Sequence, residues 1–315
     1  MPGLEDNKEL WAVQRAKVED AGKEGVVLLG SSRVLFDIQL DQWEQETGIR
    51  PIQLASAGAS PLPSFHDIVE NTNFAGTVIV GVAPPVFFST TFPGASPMQR
   101  IQDRVDHFEN RTYADRLNHL LDIPLQRSFA FLANDDEDWA DDLDLKTLVN
   151  NITIGNRTGG PVMPPFYRFQ DIEIDRNLKM MEKTVTDTAF ANTVIRVWGF
   201  FGSTAPPPDK ESTTAFFLKD LEKFRARGGN AILLRCPSSG GLRAAENQFL
   251  PRDSFWDELV QQADIPAYHF EDYSQLNQFH CPEWSHLSGS DAATFTTELT
   301  RIMKKDQVLP THKTN

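Results

Sequence analysis

The chain has 315 residues, of which 40% are hydrophobic and 23% are charged, as is ordinary for a globular protein. Its formal net charge of −14 argues against nucleic acid or an anionic membrane surface as partner, because phosphate binding needs concentrated lysine and arginine. No apolar run approaches the roughly 20 residues of a membrane span. The N-terminal residues also lack the basic and apolar regions of a signal peptide, so we expect neither feature in this chain.

The first informative stretch is residues 25–34, Gly-Val-Val-Leu-Leu-Gly-Ser-Ser-Arg-Val. An apolar run that ends in Gly-Ser-Ser before a helical pattern predicts a buried strand, a tight turn and a helix N-terminus. A serine in that turn lies at the carboxyl end of a strand, where open α/β sheets bind their ligands. Two interpretations of Ser31 and Ser32 are open on this stretch alone, a helix N-cap or a nucleophile.

Further strand–turn–helix units follow along the chain. Residues 50–55 and 76–82 are predicted strands, with a helix over residues 61–71 between them. Three such units in the first third of the chain predict a parallel sheet with right-handed crossovers. Later strands are predicted at residues 194–200, 231–235 and 267–270. The other predicted helices cover residues 5–23, 36–47, 100–121, 217–227, 255–263 and 295–303.

Residues 86–192 interrupt this alternation within a chain that we otherwise interpret as one α/β domain over residues 1–315. We interpret them as a largely helical insertion that covers the carboxyl edge of the sheet, as a lid would. Seven of the ten residues 135–144 are carboxylates. We interpret this run as a solvated acidic face, because it lacks the regular spacing and closing glutamate of a calcium loop.

A second informative stretch, residues 280–292, lies just before the last predicted helix. It contains Glu283 three residues before His286, and a loop carboxylate can accept from one ring nitrogen and leave the other as a base. Two alternatives compete with this interpretation. His280, Cys281, Glu283 and His286 could form a metal site, although their spacing matches no common zinc pattern. The other alternative is a surface loop with an incidental histidine.

Together these motifs resemble the SGNH (GDSL-like) hydrolase superfamily, over roughly residues 25–85 and 230–303. Gly30-Ser31-Ser32 is similar to the first block of that family, with Ser32 at the position of the nucleophile. The small-residue turn after the second predicted strand resembles the second block. In it, Gly58 stands where the family has a glycine whose N–H serves the oxyanion hole.

The last block of the family, Asp-x-x-His, resembles Glu283-Trp284-Ser285-His286, with glutamate in place of aspartate. The third block differs, because Ala83 stands where the family has an asparagine that donates to the oxyanion. Losing one such donor typically costs on the order of 10²–10³ in turnover. The resemblance implies a three-layer α/β/α sandwich around a central, mainly parallel, five-stranded sheet of the flavodoxin-like kind.

The resemblance also implies a reaction, in which Ser32 attacks an ester carbonyl, His286 takes the proton and Glu283 orients the imidazole. The backbone N–H groups of Ser32 and Gly58 would hold the oxyanion. Arg33 and the Ser238-Ser239 loop follow predicted strands and are candidate substrate-binding groups. The Gly-Ser-Ser-Arg form further resembles the branch of the superfamily that acylates bacterial cell-surface polymers, which favours acylated carbohydrates among the substrates.

The expected partner is therefore a small-molecule or glycan acyl ester, with no nucleic acid, no cofactor and no metal ion. A catalytically silent member of the fold that binds a glycan or a polymer-assembly protein is the alternative from another class, and Ala83 favours it. A third hypothesis is a metal-dependent hydrolase that uses His280, Glu283 and His286. The two cysteines, Cys236 and Cys281, allow either one disulfide or two thiols.

Overall fold

The computed structural model describes residues 3–90, 94–129 and 163–310. The strands are β1 (Val26–Leu29), β2 (Ile52–Gln53), β3 (Thr77–Gly81), β4 (Gln170–Ile172), β5 (Leu178–Met180), β6 (Asn230–Arg235) and β7 (Ala267–His269). The helices are α1 (Lys8–Ala16), α2 (Ser32–Asp37), α3 (Leu40–Thr47), α4 (Leu62–Asn71), α5 (Pro84–Phe87), α6 (Ser96–Asn110), α7 (Tyr113–Ser128), α8 (Glu182–Thr186), α9 (Thr188–Thr204), α10 (Lys210–Ala226), α11 (Gly240–Phe249), α12 (Glu258–Ala263) and α13 (Gly289–Lys305).

Five strands form one parallel sheet in the order β2-β1-β3-β6-β7, and β4 pairs with β5 in a separate antiparallel hairpin. Val26 of β1 is in register with Thr77 of β3, and Thr77 is in register with Asn230 of β6. This confirms the predicted α/β class with a central, parallel, five-stranded sheet. The order reverses at β1, and the carboxyl ends of β1 and β3 therefore flank the point where open α/β sheets bind their ligands.

The apolar core lies on both sides of this sheet, because successive side chains of a strand point to opposite faces. Val26 and Leu28 belong to a cluster with α2, α3, α13 and the β4–β5 hairpin. Val27 and Leu29 belong to a second cluster with α1, α4, α10 and α12. The helices on the two faces give the three layers of an α/β/α sandwich.

The predicted strand at residues 194–200 is wrong, because these residues lie within α9, a helix of 17 residues. Its buried residues Ala191, Val194 and Val197 recur every three positions, which is helical spacing. Asp187 caps the helix by accepting from the backbone of residues 189 and 190. The run of β-branched and aromatic residues resembles a strand locally, but packing of one helical face determines the structure.

Two predicted continuous helices are each divided in two. Residues 36–47 form the end of α2 and all of α3, because Ile38 and Gln39 are extended. The Gln39 side chain there donates to the carbonyls of Phe36 and Leu178, which ties the break to the hairpin. Residues 100–121 fall in α6 and α7, and Thr112 begins the second helix with a capping box.

Other elements agree closely with their predictions. Helix α3 ends at Gly48 with φ of 75°, the left-handed conformation expected of a glycine C-cap. The predicted helix at residues 217–227 corresponds to the second half of α10, which buries Phe217, Leu221 and Phe224 against the sheet. No helix in the described ranges is both long and apolar enough to cross a membrane.

The predicted insertion, residues 86–192, contains α6, α7, α8 and the β4–β5 hairpin within its described part. The hairpin packs on the sheet face that also carries α2 and α13. The acidic run at residues 135–144 lies outside the described residues.

Candidate active site

The turn after β1 places two serines at the start of α2, and the structure gives them different roles. Ser31 is the N-cap, and its hydroxyl accepts from the backbone N–H of Arg33 at 3.4 Å. Ser32 is the first helical residue and is partly exposed. Within the described ranges, the Ser32 hydroxyl makes no hydrogen bond, so the capping function belongs to Ser31 and leaves Ser32 Oγ for other chemistry.

Two glycines let α2 approach the end of the sheet closely. A Cβ on Gly30 would lie 2.6 Å from Val34 Cγ2, and a Cβ on Gly81 would lie 2.1 Å from the same atom. Both distances are far shorter than a van der Waals contact, so any larger residue would push α2 away. The glycines at the ends of β1 and β3 thus fix the position of Ser32 relative to the sheet edge.

His286 and Glu283 form a completely buried pair, each with 0% relative exposure. Glu283 Oε1 lies 2.9 Å from His286 Nδ1 and accepts from the backbone N–H of the same histidine at 2.6 Å. Glu283 Oε2 accepts from Trp198 Nε1 at 2.5 Å. An ionised carboxylate offers only acceptors, so this arrangement assigns the Nδ1 proton to the histidine and leaves Nε2 with a lone pair.

Aromatic rings enclose the imidazole. The Phe36 ring stacks on His286 with centroids 4.2 Å apart, while Phe169 and Trp198 lie at 5.9 Å and 5.8 Å. Phe36 belongs to α2, Phe169 to the segment just before β4, and Trp198 to α9. The ring is thus held by three separate segments, and its rotation is restricted.

The stacking on Phe36 brings the histidine to the helix that Ser32 begins. Ser32 and Phe36 are four residues apart in α2, so they lie one turn apart on the same helix face. His286 Nε2 is buried and has no hydrogen-bond partner among the residues that the structure describes. The structure therefore brings His286 to the Ser32 helix without a direct hydrogen bond between Ser32 and His286. Catalytic hydrogen bonds are often loose in ligand-free structures.

The predicted oxyanion donors lie at the same edge of the sheet. Gly58 is exposed in the turn after β2 and has φ of 60°, a conformation that favours glycine. The backbone N–H of Ser56 donates to Gly30 O at 3.0 Å, which ties this turn to the β1–α2 turn. Ser56 Oγ is buried and unpaired within the described residues. At the end of β3, Ala83 precedes α5 and contributes no side-chain donor.

Arg33, one predicted substrate-binding residue, lies in a buried ionic network. It donates to Glu246 Oε1 at 2.5 Å and to Ser285 Oγ at 3.4 Å. Arg235 at the end of β6 donates to the other oxygen of Glu246. Burial by itself would raise the pKa of Glu246, but the charges of Arg235 and Arg33 outweigh it and lower that pKa to about 2. Among the buried side-chain nitrogens of Arg33 and Arg235, Arg33 Nη1 alone has no hydrogen-bond partner within the described residues.

The other two predicted substrate-binding residues also hold the site together. Ser238 donates to Glu246 Oε2 at 2.8 Å. Ser239 Oγ donates to Cys281 O at 3.0 Å, and its backbone N–H donates to Trp284 O at 2.9 Å. A Cβ on Gly240 would lie 2.3 Å from Trp284 Nε1. The β6–α11 turn therefore supports the loop that carries Glu283 and His286.

Asp37, at the end of α2, is a buried carboxyl group that the sequence analysis did not single out. Its Oδ1 accepts from the backbone N–H of Leu287, next to His286, at 2.9 Å. Burial raises the pKa of Asp37 well above its ordinary value. This contact fixes the histidine loop directly to the Ser32 helix.

The alternative metal site at the histidine loop is not formed by the side chains that the structure describes. His280 is exposed, whereas Glu283 and His286 are buried together. Within those residues, one group of metal-ligating side chains converges, and it lies elsewhere. Cys281 and Cys236 are both buried free thiols, and burial raises the pKa of each well above its ordinary value.

Besides Asp37, three further residues complete the site and were not identified from the sequence. Trp198 was not identified because residues 194–200 were predicted as a strand. Glu246 was not identified because it is an isolated acidic residue in an amphipathic helix. Phe36 was predicted only as part of the helix at residues 36–47. Trp198 donates to Glu283 across 85 positions and Arg33 pairs with Glu246 across 213, so no local spacing could have revealed these two contacts. The nearer partners of Glu246, Arg235 and Ser238, lie 11 and 8 positions away.

Comparison with known proteins leaves the family of this chain open. A search against models of protein families finds no match, and a search of curated proteins finds none either. The resemblance described from the sequence therefore rests on the residues of this chain alone.

Proposed function

We propose that this protein is an SGNH-type serine ester hydrolase or O-acyltransferase that works through an acyl-enzyme. The observation that carries the proposal is the buried Glu283–His286 pair, which leaves His286 Nε2 as a free base beside the helix that begins with Ser32. A base held in one tautomer near a hydroxyl at the carboxyl end of a strand is the arrangement that nucleophilic acyl transfer needs.

In the first step, Ser32 Oγ bonds to the carbonyl carbon of an acyl ester while His286 Nε2 takes the hydroxyl proton. Glu283 accepts from Nδ1 and stabilises the imidazolium. The backbone N–H groups of Ser32 and Gly58 hold the oxyanion. The C–O bond to the leaving alcohol then breaks, and the alcohol departs with the proton from His286.

In the second step, water or the hydroxyl group of an acceptor attacks the acyl-Ser32 carbonyl, and His286 takes its proton. The bond to Ser32 Oγ breaks, and the proton returns to the serine. The products are a carboxylic acid when water attacks and a new ester when a hydroxyl attacks. An acylated carbohydrate is the substrate class that the Gly-Ser-Ser-Arg turn favours.

Active-site labelling tests this assignment directly. The full chain is incubated with a fluorophosphonate, and the modified peptide is identified by mass spectrometry. We expect one phosphonylated residue, Ser32, and hydrolysis of short-chain aryl esters that Ser32→Ala and His286→Ala each reduce by at least about 10³-fold.

Ser31→Ala is the matched control, because it removes the neighbouring hydroxyl and one N-cap bond. We expect it to lower stability by about 1 kcal/mol and to keep the label. Labelling that persists in Ser32→Ala would contradict the assignment of the nucleophile.

A catalytically silent binding protein of the same fold is the second candidate. Two observations favour it: Ser32 and His286 make no hydrogen bond to each other among the described residues, and Ala83 supplies no amide to the oxyanion. Under this alternative no residue is phosphonylated, no aryl ester is hydrolysed, and acylated oligosaccharides still bind. The same labelling experiment therefore separates the two candidates.

A further inference from the structure

A second histidine–carboxylate cluster lies on the opposite side of the sheet from His286. His66 and Glu70 are four residues apart on α4, so their side chains share one helix face. Asp220 faces them from α10. One donor atom from each of these residues lies within 4.8 Å of the donor atoms of the other two.

The scaffold beneath this cluster is rigid. The Phe65 ring, beside His66, contacts Phe217 and Phe224 of α10 with centroids 5.6 Å away in each case. These rings belong to the core that α4 and α10 share with the sheet. The backbone positions of the three donors are therefore set by packing and do not depend on any ligand.

Asp220 is buried, and within the described residues one oxygen of its carboxylate is paired while the other is not. Its side chain is only 2% exposed, and Oδ2 lies 2.9 Å from His66 Nδ1. Its other oxygen, Oδ1, is buried and has no hydrogen-bond partner within the described part of the chain. A buried carboxylate oxygen without a partner is costly.

We propose that His66, Glu70 and Asp220 bind a divalent transition-metal ion such as Zn²⁺, which clamps α4 to α10. One imidazole nitrogen and two carboxylate oxygens form a ligand set that zinc accepts, with water in the fourth position. Tetrahedral zinc holds its donors about 3.4 Å apart, given bonds of roughly 2.1 Å. The exposed Glu70 side chain can close the remaining distance by rotation.

Lys223 competes with the metal at this site. Its ammonium group forms an ion pair with Glu70, and both side chains are well exposed. The metal must displace this lysine from Glu70, while Asp220 and His66 stay in place. Removal of Lys223 is therefore expected to tighten metal binding, whereas removal of an ordinary surface charge would leave it unchanged.

Calorimetric titration of the full chain with ZnCl₂ tests the proposal. We expect one site that His66→Gln weakens by at least about tenfold, as loss of one of three ligands requires. We expect Lys223→Met to strengthen the same site severalfold. Bound Zn²⁺ at about 100 times Kd should also raise the melting temperature by several degrees, because the ion binds the folded state.

His107→Gln is the matched control, since His107 also pairs with a carboxylate, Glu9, through a 2.7 Å contact. It should leave the affinity for zinc unchanged. Equal zinc affinity in the wild type and His66→Gln, or no binding at millimolar zinc, would overturn the proposal. Asp220→Asn provides a second ligand variant, and circular dichroism verifies that each variant is folded.

Discussion

Among the described residues, two histidine–carboxylate pairs share a 2.9 Å contact at Nδ1 but have very different surroundings. His286 and Glu283 are fully buried, with three aromatic rings around the imidazole. In the other pair, Asp220 is buried but the His66 side chain is 41% exposed. The same two chemical groups therefore support different proposals, a catalytic base in one place and a metal ligand in the other.

This comparison indicates that the surroundings of the second imidazole nitrogen determine which chemistry a histidine–carboxylate pair supports. His286 Nε2 is enclosed near the helix of a partly exposed serine. His66 instead has a second carboxylate, Glu70, one helical turn away and a lysine beside it. Four substitutions test this contrast.

Glu283→Gln should have the largest effect, because an amide can leave Nε2 protonated and unable to act as a base. We expect ester hydrolysis to fall by roughly 10²–10⁴-fold. Steady-state kinetics with a short-chain aryl ester measures this loss. Asp220→Asn, the same change in the other pair, should leave hydrolysis unaltered, and an equal loss in both variants would contradict the contrast.

Glu246→Gln should have the next largest effect, since its carboxylate is paired with permanently charged arginines. Loss of this charge leaves Arg33 and Arg235 buried without a counter-ion. We expect the free energy of unfolding to fall by about 3–5 kcal/mol at pH 7. Denaturant titration measures the change.

The same variant gives a pH dependence with a definite sign. The pKa of Glu246 is about 2 in the folded chain and ordinarily 4.5, so its stabilising charge is fully present above pH 4.5. That contribution is lost as the pH falls from 4.5 towards 2. The stability difference between wild type and Glu246→Gln should therefore be constant from pH 7 to 5 and smaller at pH 4, and a difference that grows on acidification would contradict this account.

Trp198→Phe should have a moderate effect, because it keeps most of the ring but removes the donor to Glu283 Oε2. We expect kcat/KM to fall by about tenfold, the cost of one lost hydrogen bond to a charged group. A pH–rate profile separates positioning from folding, since a displaced Glu283 changes the apparent pKa of catalysis. Trp256→Phe is a control outside the site, and it should leave the profile unchanged.

Lys223→Met should have the smallest effect in the absence of metal. The Lys223–Glu70 ion pair is exposed, and exposed pairs contribute little to stability. We expect the melting temperature to change by no more than about 2 °C. Thermal unfolding followed by circular dichroism measures it, and a large decrease would show that the lysine is structurally required.

Much of the candidate site could be read from local patterns. The apolar run before Gly30 predicts a strand, and the turn with Ser31 and Ser32 predicts the helix that follows. Glu283 and His286 are three residues apart, so a contact between them was expected and is observed. Local patterns alone left open which serine caps α2, because either hydroxyl could have done so, and only the family resemblance favoured Ser32 as the nucleophile.

The remaining parts of the site depend on contacts between distant segments. Trp198 donates to Glu283 from a helix 85 positions away, and Arg33 pairs with Glu246 across 213 positions. The same holds for His66 and Asp220, which are 154 positions apart. Such pairs have no local spacing that could reveal them.

Hydrophobic periodicity and short-range geometry specify the parallel sheet, the strand-end turns and the local Glu283–His286 pair, so these features could be predicted. The helical state of residues 194–200 and the contact of Trp198 with Glu283 depend instead on tertiary packing. Tertiary packing also buries Arg33 against Glu246 and brings three metal-ligating groups of α4 and α10 together. The physical reason is that burial and charge pairing are properties of the packed chain, and they arise between segments that the sequence keeps far apart.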